Sequence, residues 1–209
     1  MKNLIKKYKE KTSDEKRIIR ALITICIGAV WSLALIVFSI ISQSIFIFVS
    51  ALFSISLYVS NLLCLIGFKK NDEESHKFYI ILSSLLMIAG GIFYCVYSVR
   101  LLFGESPRNF GLIISLAIAL FSFISIVNSS IALVRDRKNP NIYIRNIKIV
   151  SFISALTSIM LTQMSLLMIK APNVDQRYNF YFALAISIFA CFIGLVVLIK
   201  DIKSYRQNS

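Results

Sequence analysis

Apolar residues fall along this chain in six long runs, roughly 19–41, 45–68, 78–102, 110–134, 148–169 and 180–199, and charge is confined to the short stretches around them. Each run is about as long as the roughly 20 residues that an α-helix needs to cross a bilayer's hydrocarbon core. The run cores contain no Asp, Glu, Lys, Arg or His, and Arg100 lies close enough to an end to snorkel to the interface. The pattern predicts an all-α, polytopic membrane protein, a six-transmembrane-helix bundle forming one domain over 19–199. A basic arm (1–18) precedes it and a short tail (200–209) follows.

Helix-start chemistry fits these boundaries. Thr12-x-x-Glu15, Asn71-x-x-Glu74 and Asn173-x-x-Gln176 read as capping boxes ahead of the first, third and sixth runs. Ser106-Pro107 and Asn139-Pro140 place a cap residue before a proline at the first helical position. All three prolines then lie outside the spans, so continuous helices are expected.

Charge sets the orientation. Lys2, Lys6, Lys7, Lys9, Lys11, Lys16 and Arg17 stand before the first span and Arg20 at its very start; the span is long and lacks a small-x-small cleavage site, so it reads as retained rather than as a signal peptide. With alternating sides, nineteen basic residues fall on the side of the N-terminus and only Arg100, Arg108, Lys170 and Arg177 on the other. This asymmetry predicts both termini in the cytoplasm and a place in the cytoplasmic (inner) membrane. A net charge of +13 in a chain that is 57% hydrophobic, with mean hydropathy +0.77, points to an anionic inner leaflet as counter-ion and not to nucleic acid. Richness in isoleucine, lysine and asparagine is that of a bacterial chain from an AT-rich genome.

A faint repeat joins Asn61–Lys70 at the end of the second run to Asn128–Arg137 at the end of the fourth, and Val134–Lys138 to Leu198–Lys203 at the end of the sixth. It reads as three helical hairpins running in the same direction; the competing explanation is that every span entering the cytoplasm ends in basic residues.

Small and weakly polar residues recur at three- and four-residue spacing within the runs. Ser115, Ala119, Ser122 and Ser129 mark the fourth; Ser151, Ser154, Ser158, Thr162 and Ser165 the fifth; Ala183, Ser187, Ala190 and Gly194 the sixth. Lipid tails are as apolar as leucine, so helices associate in a bilayer through close backbone approach and short hydrogen bonds between such residues. Packing is the expected role, with a hydroxyl-lined path as the alternative. Among the more polar groups, Asn61, Asn128 and Gln163 are the candidate ligand-binding residues, because carboxamides donate and accept hydrogen bonds without titrating. Asn61 and Asn128 share one depth, where an interhelical clamp is the competing role.

No catalytic constellation is expected. The serines and cysteines lack a histidine, lysine or carboxylate at membrane depth to activate them. Glu73 and His76, one turn apart, are two residues where a metal needs more, and no metal or cofactor is expected. Cys26, Cys64, Cys95 and Cys191 lie in four different runs without CxxC spacing and read as packing residues. Tyr94, Tyr97, Phe103, Phe110, Tyr178, Phe180, Tyr181 and Phe182 are expected to form an outer interfacial belt. The run Ala155–Leu167 resembles a segment of small six-span bacterial membrane proteins, and the three-hairpin plan is similar to that of HdeD-type proteins, without their glycine-rich hairpin motif. That likeness concerns architecture and transfers no site.

The expected function is a non-enzymatic accessory, immunity or scaffold-type membrane component acting through helix and lipid contacts, with another membrane protein or a second copy as partner. The alternative is a small-molecule-binding subunit of a transporter with its pocket among Asn61, Asn128 and Gln163. A filled bundle core favours the first and a metabolite-sized pocket the second.

Overall fold

The structure, a computed structural model, describes residues 13–69, 73–103, 112–136, 142–170 and 177–208. The capping boxes, the serine-proline and asparagine-proline caps, most of the basic arm and the side chains of Glu73 and His76 lie outside the described residues. Among the described residues six α-helices follow one another: α1 (Ser13–Ser42), α2 (Ile45–Lys69), α3 (Glu73–Ser98), α4 (Leu112–Arg135), α5 (Ile142–Lys170) and α6 (Arg177–Asn208). A 3-10 segment, Val99–Phe103, prolongs α3. All six helices carry a stretch long and apolar enough to cross a membrane, and no strand occurs among the described residues. The chain is a multi-pass membrane protein.

Its surface shows why. Ile113, Val134, Phe123, Ile40 and Phe192 are all more than half exposed, whereas Ser32, Ser50, Ser60, Ser115 and Ser165 are completely buried. In water such an arrangement is an aggregation hazard. In a bilayer the large apolar side chains face lipid and the small polar ones let helices approach.

The α1–α2 hairpin turns within three residues because its polar backbone groups are satisfied twice over. Gln43 takes the left-handed conformation (φ 51°), its N–H donates to the Ile40 carbonyl at 3.3 Å, and the Ser44 N–H reaches back to the Ser39 carbonyl at 3.1 Å. These two bonds form a Schellman C-cap. Ser44 then caps α2, with its Oγ accepting the Ile47 N–H at 3.4 Å.

Helices α2 and α5 pack against each other at the centre, with 61% and 56% of their spans buried, and α4 is the most peripheral at 17%. The α1–α2 hairpin, α3 and α6 follow around them, while α4 rests chiefly on α5. The hairpins are therefore not equivalent in burial. Between α3 and α6 the backbones come close. A Cβ on Gly91 would lie 3.2 Å from the Ser187 carbonyl oxygen, and one on Gly194 the same distance from that of Ser84. Between α2 and α3, Ser60 and Ser83 share a hydrogen bond at 2.6 Å and Phe53 stacks on Tyr94 with ring centroids 4.7 Å apart. Tyr94 is a departure from the expected belt: it is fully buried, because its hydroxyl finds Met160 Sδ at 3.0 Å inside the bundle. Phe103, Tyr178 and Tyr181 are exposed, whereas Phe180 is buried.

Candidate functional site

The polar residues of the bundle sort into a seam and a groove. The seam joins α4 to α5. Ser115 Oγ donates to the Ser165 carbonyl at 3.4 Å, Ser122 Oγ to that of Ser158 at 2.8 Å and Ser129 Oγ to that of Ser151 at 3.3 Å. Each step of seven residues along α4 is matched by a step of seven in the opposite direction along α5. That is the spacing at which one face of a supercoiled helix keeps meeting its partner. Thr162 Oγ1 adds a bond to Ser122 Oγ at 2.8 Å. The hydroxyls are thus spent between helices, not along an open path.

Central α2 joins the seam at its Ser129–Ser151 end. Asn61, 1% exposed, donates from Nδ2 to Ser151 Oγ at 3.3 Å. Ser151 already donates to the Ile147 carbonyl at 2.7 Å, so it accepts here, which fixes the carboxamide's orientation. The Asn61 carbonyl oxygen has no hydrogen-bond partner among the described residues. One turn earlier, the Tyr58 hydroxyl accepts from Ser154 Oγ at 2.9 Å.

The groove lies between α1 and α4. Thr24, Ile27 and Gly28 form one wall and Phe121, Ile124, Ser125, Asn128 and Ser129 the other, around a volume of about 150 Å³ with Tyr58 as its floor. Gly28 is required there, because a Cβ would collide with the Tyr58 ring. Trp31 stacks on Phe121 at a centroid distance of 4.4 Å and bridges the two helices beyond the groove. Asn128 is exposed in it and makes no hydrogen bond among the described residues.

The three carboxamides singled out from the sequence do not converge. Asn61 faces the interior and Asn128 faces the groove, linked only through Ser151 and the neighbouring Ser129. Gln163 is partly buried on α5, twelve residues beyond Ser151 and therefore about 18 Å further along the helix. The groove's other polar members, Thr24, Tyr58 and Ser125, were not legible as a group, since they come from three helices and no spacing rule joins them.

Two further hollows hold about 10 Å³ each, room for no more than a water molecule. A third concavity of about 370 Å³ between α3 and α6 is walled almost entirely by apolar side chains, including the exposed Ile92, Val96, Ile188 and Phe192. Cys95 and Cys191 both line it, and Cys191 Sγ lies against Gly91, one turn from Cys95. Two of the four cysteines thus share one site on facing helices. Among the described residues no three His, Cys, Asp or Glu side chains gather as a metal site would need. No protein-family model matches this chain, and no curated protein shows significant similarity to it.

Proposed function

We propose that the chain is a non-enzymatic component of the cytoplasmic membrane, of accessory or scaffold type, that works through its lipid-facing surface and its contacts with other membrane helices. The observation that carries this reading is the contrast between a closely packed interior and concavities that open toward the hydrocarbon. Hollows of about 10 Å³, and one of about 120 Å³ beside Arg145 and Asn146, are well below the roughly 300–1,000 Å³ of small-molecule pockets. The concavity that reaches that size is apolar and shallow, a surface for acyl chains or another helix. The uneven distribution of basic residues supports an orientation with both termini in the cytoplasm.

Native mass spectrometry of protein extracted gently from its own membrane tests the reading. The expected spectrum holds lipid adducts together with self-copies or a co-purifying membrane protein. A stoichiometric non-lipid metabolite would overturn it in favour of a small-molecule-binding subunit, the reading that the polar wall around Asn128 favours.

A further inference from the structure

We propose that the α1–α4 groove binds one anionic glycerophospholipid of the leaflet at its Arg20–Arg135 end, an inference that rests on the lipid-contact reading above. Three levels of the groove match three parts of such a molecule.

The mouth is cationic. Arg20 is exposed one turn before Thr24, and Thr24 Oγ1 donates to the Arg20 carbonyl at 2.9 Å, which ties the groove wall to the turn that carries the charge. Arg20 Nε is held on the Lys16 carbonyl at 3.2 Å. The terminal nitrogens of the guanidinium remain for a phosphate, whose geometry suits a two-pronged donor. Across the groove, Arg135 is engaged with the buried Asp136 at 3.8 Å, so Arg20 is the cation placed to select charge.

The middle is polar where the bilayer is not. Asn128 lies seven residues from Arg135, about 10 Å deeper, below the headgroups, where a carboxamide facing hydrocarbon is costly. Lipid ester carbonyls occupy that depth and accept hydrogen bonds. Asn128 Nδ2 supplies a donor, and Ser125 and Thr24 share the same walls. The deepest part is apolar and aromatic: Ile27, Ile124 and the Trp31–Phe121 stack offer a flat bed for the start of one acyl chain. The volume, about 150 Å³, is below that of a pocket for a drug-sized ligand. It is enough for the ester junction of a lipid whose chains continue along the outside of α4.

The test titrates the purified full-length chain in detergent with phosphatidylglycerol or with phosphatidylcholine and counts bound lipid by native mass spectrometry. One saturable equivalent is expected, with the anionic lipid favoured by about fivefold, the size of one basic contact at a membrane surface. Arg20→Gln abolishes that preference. Asn128→Leu and Ser125→Phe lower retention of both lipids, and Leu195→Ala, in the α3–α6 concavity, changes nothing. Displacement by sn-glycerol 3-phosphate would show that a phosphate alone occupies the site and would overturn the lipid assignment. Wild-type binding by Arg20→Gln and Ser125→Phe would overturn the location while leaving the lipid-contact reading standing. Absence of retained lipid together with a bound metabolite would overturn both.

Discussion

Peripheral α4 is held by the seam, so replacing its hydroxyls isolates what they contribute. The triple substitution Ser115→Ala, Ser122→Ala and Ser129→Ala removes three interhelical donors and leaves the small cross-sections that set the α4–α5 separation. Hydrogen bonds between transmembrane helices average about 0.6 kcal/mol, because the unfolded chain in the membrane also finds partners. Three of them give about 2 kcal/mol, a change of roughly thirtyfold in the folding equilibrium. The central bond, at 2.8 Å and backed by Thr162, is expected to carry the largest share, and a Ser122→Ala/Thr162→Val cycle measures that coupling. Reversible unfolding in mixed micelles titrated with a harsh detergent is the assay. Ser187→Ala is the control, since its hydroxyl donates to its own helix at Ala183 and joins nothing across an interface. If the triple variant melts with the wild type, or no worse than the control, the seam is packing alone and the argument fails.

Three other outcomes follow from particular contacts. Gln43 holds a left-handed conformation that glycine adopts without steric cost, so Gln43→Gly is expected to raise stability by about 1 kcal/mol in the same assay. Asn61→Ala loses its bond to Ser151 and opens a small cavity in the core, and is expected to cost roughly 1–3 kcal/mol, whereas Asn128→Leu leaves the midpoint unchanged or higher. Equal losses at both asparagines would count against their opposite placement. Dibromobimane, which fluoresces once both arms are alkylated, is expected to bridge Cys95 and Cys191 in membranes; undiminished fluorescence after Cys95→Ser would show the bridge to be elsewhere.

Six helices were legible because the bilayer imposes a length, and runs such as 45–68 meet it without any charge. The serine stripes of α4 and α5 were legible too, at 115, 122 and 129 and at 151, 158 and 165, as small residues expected at interfaces. What their spacing does not give is which stripe meets which. The pairing of Ser122 with Ser158 depends on α4 and α5 being antiparallel neighbours, a fact of topology rather than of either helix. Tyr94 departs from the expected belt for a related reason. An aromatic near a span's outer end is ordinarily interfacial, but Met160 on α5 offers its hydroxyl a partner indoors.

Asn61 and Asn128 show where reading by depth stops. Both lie near the ends of spans that run in the same direction, and their shared depth suits an interhelical clamp. Depth follows from position in the run, but azimuth does not, because lipid and a leucine-rich interior are nearly alike to most side chains. In water a single polar residue marks the outer face of a helix. In a bilayer it marks only a need for a partner, which Asn61 meets on Ser151 through its Nδ2 and Asn128 does not meet among the described residues. The exposed asparagine is therefore the more informative of the two, since the proposed lipid contact is built on its place in the α1–α4 groove.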